Sequence, residues 1–197
     1  MSRIVHPIEA QSYAILRSRA DTAALPHWTR AVTERVIHAS ADLGYLYDLV
    51  CQEEALAAGA AALRAGVPVV ADATMVTAGI TSRDVACHVA DPRTVALADE
   101  AGITRSAAGI RLGYAAAGPG AVWVIGTAPT ALLELLDLGA APALVIGLPV
   151  GFVGAAEAKQ ALRASGLPSL SNRSERGGAA VAAAALNALL YEPESPS

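Results

Sequence analysis

The chain has four histidines, and His38 is the one whose neighbours could share chemistry with it. In the run VTERVIHASAD, Glu34 precedes it by four positions, Arg35 by three, and Asp42 follows by four. A helix would therefore set a cation, an imidazole and carboxylates along one face. An imidazole titrating near neutrality can donate a proton while Arg35 holds an anionic group alongside. The same spacing equally describes a solvated helix surface with ordinary charge pairs. His6 lies near the chain start, His27 beside Trp28 at a helix start, and His88 in an apolar strand.

Other positions carry weaker chemical signals. The stretch GLPVGFVGAAEAK (147–159) puts three glycines between a strand and a helix, where exposed N–H groups and a helix dipole can meet an anion. It lacks the GK[ST] ending of a P-loop and the GxGxxG spacing of a dinucleotide fingerprint, and its glycines would serve turns and close packing as well. Asp72 and Met75, at and just beyond a strand end, either face a ligand or act as a cap and a gap-filler. Arg105 opens an apolar helix in TRS (104–106), against the dipole, which makes it a candidate fork for a carboxylate, and Arg111 lies further along the same helix.

The elements that must position these residues follow from periodicity. Helices are expected over 9–20, 26–41 and 52–65, the last stopped by Gly66. Valine- and isoleucine-rich strands at 67–71, 84–89, 121–126, 143–147 and 167–170 then alternate with helices at 93–101, 104–116, 129–138, 155–165 and 178–190. That alternation predicts an α/β chain, a mainly parallel sheet between two helix layers. Ligands of such sheets gather beyond the carboxyl ends of the strands, here Asp72, Gly126-Thr127, Gly147-Leu148 and Ser171-Asn172. The expected organisation is one domain over 1–191, followed by a disordered polar tail, EPESPS, at 192–197.

Composition narrows the function classes. With 14 Lys plus Arg against 18 Asp plus Glu, the net charge of −4 gives no general attraction for nucleic acid or an anionic membrane. Cys51 and Cys87 form neither a disulfide framework nor a metal-ligand spacing, which predicts a reducing, cytoplasmic setting and no metal. Residues 1–10 have no apolar core of a signal peptide. Two stretches without charge, 112–133 and 138–156, are long enough to suggest membrane spans. Gly118-Pro119-Gly120, Thr127-Ala128-Pro129, Pro142 and Pro149 interrupt them, so they read as buried strands with turns.

Taken in order, SYAILRSRAD (12–21), RVIHASAD (35–42), AGVPVVADATMVTAGI (65–80), TRSAAG (104–109), IGTAPTALLELL (125–136), PVGFVGAAEAK (149–159) and RGGAAVAAAALNAL (176–189) resemble the precorrin-8X methylmutase family, which includes the cobalt-precorrin-8 methylmutases of cobalamin biosynthesis. The resemblance implies an isomerase that moves a methyl group from C-11 to C-12 of a contracted tetrapyrrole, a formal 1,5-sigmatropic shift yielding a hydrogenobyrinate-type corrin, with no redox or methyl-donor cofactor. It implies that His38 donates and accepts the proton and that Ser12 and Arg35 touch the substrate. It also implies a flavodoxin-like fold and a homodimer. This chain departs from the family pattern at Ser40, where cysteine is frequent, Thr127, where asparagine is common, Ala158, where serine is frequent, and Ala179, where serine or threonine is usual.

The chemistry of such a reaction fits the residue types. An intramolecular shift needs no protein nucleophile, only a proton held in place and a restrained ring. The acetate and propionate carboxylates around a flat apolar macrocycle call for scattered arginines about an apolar cleft. Arg17, Arg35, Arg105 and Arg111 are the candidate anchors, with Met75 as an apolar contact. Two rival readings are a corrinoid-binding protein without catalysis and a flavin or phosphate binder using the 147–154 loop.

Overall fold

The computed structural model describes residues 6–192, so the tail beyond Glu192 and the first five residues lie outside it. The chain opens with α1 (Pro7–Arg19), which His6 caps by accepting from the Ile8 N–H, with Glu9 in the first turn and Arg17 and Arg19 in the last, each complementing the helix dipole. Helix α2 (His27–Ser40) has no side-chain cap of its own. The Glu53 carboxylate supplies one from a distance, accepting from Trp28 N at 2.9 Å and Thr29 N at 2.8 Å. Then come α3 (Tyr45–Asp48), β1 (Leu49–Cys51), α4 (Glu53–Arg64), β2 (Val69–Ala71), α5 (Thr74–Ala78), β3 (Ala86–Cys87), α6 (Pro92–Ala101) and α7 (Arg105–Ala117). The chain closes with β4 (Val122–Ile125), α8 (Pro129–Asp137), β5 (Leu144–Gly147), α9 (Ala155–Ala164), β6 (Ser169–Asn172) and α10 (Ala179–Tyr191).

The strands form one sheet in the order β1-β6-β5-β4-β2-β3. All neighbours are parallel except β1, which runs antiparallel to β6 at the edge. The five parallel strands, taken alone, have the flavodoxin-like winding, with its switch point between β2 and β4. Alternation splits the core between the two faces: Val122, Val124, Leu144 and Ile146 face α2, α4 and α10, and Trp123, Ile125 and Val145 face α7, α8 and α9. Alanines of α10 are buried along most of its length, which lets it pack closely beside α2. Helix α1 lies outside this layer, against α2, with Leu16 and Ala20 buried.

The differences from the sequence expectations have local causes. Periodicity predicts no element over 45–50, a stretch too short for a period to register, and there the chain forms α3 and runs into the antiparallel strand β1. The strand expected at 84–89 pairs only over Ala86–Cys87. The last strand is displaced to Ser169–Asn172, because its polar residues are buried and bonded: Arg163 donates to Ser171 Oγ and Lys159 to Asn172 Oδ1. Among the described residues, no helix is long and apolar enough to cross a membrane.

Candidate active site

The end of α2 and the start of β1 bring His38 to the carboxyl edge of the sheet, where Arg176, in the loop after β6, pairs with Asp42 at 2.7 Å. Helix α1 crosses α2 there. Its residues Glu9, Ser12, Tyr13, Leu16 and Arg17 recur at spacings of three and four, so one face meets α2. Leu16 supplies the apolar contact and the polar members build the site. Ser12 Oγ lies 2.8 Å from His38 Nδ1. The Tyr13 ring stacks on the imidazole, with centroids 5.0 Å apart and planes 9° from parallel. Arg17 lies over the Tyr13 ring at 5.6 Å.

Two ion pairs lock the crossing. Arg35 donates to Glu9 Oε1 at 2.7 Å, with both side chains mostly buried. Arg17 donates to Glu34 Oε2 at 2.6 Å, and Thr22 and Arg30 donate to Glu34 Oε1 at 2.6 and 3.0 Å. Burial raises the Glu34 carboxyl, but the bonds from Arg17, Thr22 and Arg30 outweigh it and hold the group at about 2. Burial pushes the Tyr13 hydroxyl upward, against the opposing pull of the Arg35 guanidinium, so the phenol keeps its proton. Burial disfavours the Arg35 charge, yet Tyr13 and Glu9 more than compensate and the guanidinium stays charged.

The predicted residues therefore divide. Ser12, Arg17, Arg35 and His38 converge at the crossing of α1 and α2, though Ser12 is turned to the imidazole and each arginine already holds a carboxylate. Met75 lies on α5 beyond β2, two-thirds exposed at the same carboxyl edge. Arg105, exposed at the start of α7, belongs to the helix layer across the sheet from His38. Arg111, further along α7, pairs with Glu134 of α8 and joins those two helices. Within one chain the structure does not bring Arg105 or Arg111 to His38. Tyr13 and Glu9 are not among the predicted residues, although the spacing they share with Ser12 and Arg17 carries the signal.

The rest of the carboxyl edge is filled by the chain's own charges. Asp72, buried at the end of β2, accepts from Gly126 N, Thr127 N and Ala128 N, each at 2.9 Å, and from Thr127 Oγ1 at 2.5 Å. Its carboxylate sits at the switch point, where a ligand's phosphate would otherwise meet those donors. The buried Lys159 ammonium donates to Pro149 O, Asn172 Oδ1 and Arg176 O at 3.1, 2.8 and 2.7 Å, and also to Ser174 O, bracing the loops after β5 and β6. Burial pushes this amine down to about 8, with Asp48 pulling it up. Gly177, at φ +155° in the loop after β6, has no room for a side chain: a Cβ would stand 2.3 Å from Leu148 O of the loop after β5. Among the described residues no group of histidine, cysteine and carboxylate side chains could hold a metal ion.

Comparison with known proteins gives a consistent result. A family model described as precorrin-8X methylmutase matches residues 7–192. The precorrin-8X methylmutase of Pseudomonas aeruginosa is 45% identical, with 95% of each chain covered. The cobalt-precorrin-8 methylmutase of Salmonella typhimurium is 39% identical over 93% of each. Among solved structures, a precorrin-8x methyl mutase from Thermus thermophilus superposes with a TM-score of 0.84 at 34% identity, covering 93% of both chains.

Proposed function

Since the chain belongs to the precorrin-8X methylmutase family, the isomerases of cobalamin biosynthesis, we propose that it moves a methyl group from C-11 to C-12 of a tetrapyrrole and that His38 carries the proton for that shift. The observation that carries this reading is the bond between Ser12 Oγ and His38 Nδ1. With Ser12 accepting from Nδ1–H, Nε2 is the ring atom that gains and loses a proton. The imidazolium lends its Nε2 proton to the macrocycle, the methyl group migrates, and the neutral imidazole takes a proton back, so the isomerisation balances with no net acid or base consumed. Arg35, whose NH1 serves Glu9, has further N–H donors for a substrate carboxylate. Met75 supplies an apolar contact at the carboxyl edge. Arg17, Arg105 and Arg111 are the less direct anchors. Arg17 acts through Glu34 and the Tyr13 ring, and Arg105 and Arg111 would serve only a substrate carboxylate that passes the edge of the sheet to α7.

A homodimer is part of the same proposal. Phe152 and Val153, in the loop after β5, are 97% and 89% exposed, and Val150 beside them is also exposed, an apolar run that a second copy would cover. The free cysteines Cys51 and Cys87 support a reducing, cytoplasmic setting. The test of the chemistry is an absorbance time course with precorrin-8X and, in parallel, its cobalt-containing form, run on wild type and His38→Ala. Wild type should convert at least one ring to the corrin product, and the variant neither. Conversion by His38→Ala at the wild-type rate would remove His38 from the reaction, and spectral shifts without conversion by either protein would leave a corrinoid binder.

A further inference from the structure

The imidazole of His38 is held at more than one point, and the second point is a residue that the proposed proton chemistry does not use. A hydrogen bond to Ser12 fixes the position of Nδ1 but leaves the ring able to turn about that bond, because the terminal torsion of histidine is broad. The stacked Tyr13 ring removes that freedom, since turning the imidazole out of a plane 9° from its neighbour's would drive its edge into the phenol. Tyr13 is in turn held from two sides. Arg17 lies over its ring, and Arg35, paired with Glu9, acts on its hydroxyl. Glu9, Arg17, Glu34 and Arg35 are the charged groups that bear on the stack from α1 and α2.

We propose that Tyr13 is a positioning residue for His38: its ring sets the plane in which Nε2 meets the substrate. The proposal rests on the reading of His38 as the proton carrier. A second consequence follows from the ring's charge distribution. The electron-rich face favours the imidazolium over the neutral imidazole, so the stack also helps His38 keep the proton it must lend.

The experiment compares Tyr13→Leu and Tyr13→Met, which remove the aromatic face, with Tyr13→Phe, which keeps the face without the hydroxyl. Two readouts are taken on full-length protein whose folding is checked by circular dichroism. The first is the NMR titration of the His38 imidazole without substrate, assigned by its absence in His38→Ala. The second is kcat and KM for the tetrapyrrole. Loss of the ring should lower the His38 titration midpoint by about half a unit. It should reduce kcat between about 10- and 100-fold while KM changes less than about threefold, as misorientation of a bound acid predicts. Tyr13→Phe should recover most of the kcat lost in Tyr13→Leu. An unmoved titration together with wild-type kcat in the Leu and Met variants would overturn the proposal, as would a Phe variant as impaired as Leu. Activity surviving in His38→Ala would instead count against the proton-carrier reading, so the two failures are distinguishable.

Discussion

Replacing Glu34 by glutamine tests the electrostatics that dock α1. The carboxylate side chain is 5% exposed and receives bonds from Arg17, Thr22 and Arg30, which keep its proton off until about pH 2, against an ordinary value of 4.5. At about 1.36 kcal/mol per pH unit, that fall is worth about 3 kcal/mol at most. Arg17 and Arg30 are 51% and 38% exposed, so water screens part of the attraction and about 1–2 kcal/mol remains. Glutamine keeps the shape and removes the charge, which should lower Tm at pH 7 by about 3–6 °C in a chain of this size. The sign with pH follows from the depressed carboxyl. The unfolded chain takes up a proton near 4.5 and the folded one only near 2, so the stabilisation is complete above about pH 5 and fades as pH falls between those values. Urea unfolding followed by fluorescence of the buried Trp28 and Trp123, at steps from pH 7 to pH 3, measures it. The gap between wild type and variant should hold constant down to about pH 5 and lose more than half its size by about pH 3. A gap that stays level down to pH 3 would show that shape, not charge, accounts for it, and no gap at pH 7 would refute the hub altogether.

Three other substitutions probe the site and its supports. Ser12→Ala should fold normally and lose about 3- to 10-fold in kcat, the value of one modest hydrogen bond to the imidazole, and a wild-type rate would show that Nδ1 needs no partner. Lys159→Met strands buried oxygens of Pro149, Asn172 and Arg176, and urea denaturation should register a loss of about 3–5 kcal/mol; a loss below about 1 kcal/mol would mean that water replaces the ammonium without difficulty. Asp72→Ala removes the acceptor shared by three backbone N–H groups and should destabilise by about 2–4 kcal/mol. Added sulfate should restore that variant more than it stabilises wild type, and an equal response of the two proteins would contradict the anion-site reading.

The parallel strands and their covering helices were readable because Val122 to Ile125 and Leu144 to Gly147 are continuous apolar runs bounded by Gly and Pro, the mark of strands buried on both faces. Helix α2 was readable through the apolar spacing of Val32, Val36 and Ile37, and with it the face that carries His38. The antiparallel edge strand was not, because Leu49–Cys51 is defined by pairing with Ser171 and Asn172, more than a hundred positions away. The crossing of α1 over α2 was hidden for a related reason. Periodicity shows which residues share a face of α1, but not that the face opposes Arg35, Glu34 and His38. Arg111 illustrates the converse. Its type and place suggested a carboxylate anchor, and the carboxylate it holds is Glu134 of the neighbouring helix.

The position of the site follows from what fills the switch point. Doubly wound sheets offer an anion the crevice between the strands where the winding reverses, here between β2 and β4. In this chain the anion is built in: Asp72 at the end of β2 takes the N–H groups that lead into α8, and a phosphate arriving there would meet a buried negative charge and no free donor. Thr127 completes the seal with its hydroxyl. That arrangement closes the switch point to a phosphate and leaves the edge to a ligand recognised in another way. Helix α1, added outside the layers, supplies the alternative. The ion pairs that hold it, Glu9 with Arg35 and Arg17 with Glu34, are also the ones that back the Tyr13–His38 stack. Docking of α1 and assembly of the Tyr13–His38 stack are thus one event, and conditions that loosen the helix, such as protonation of Glu34, should extinguish activity before the sheet unfolds.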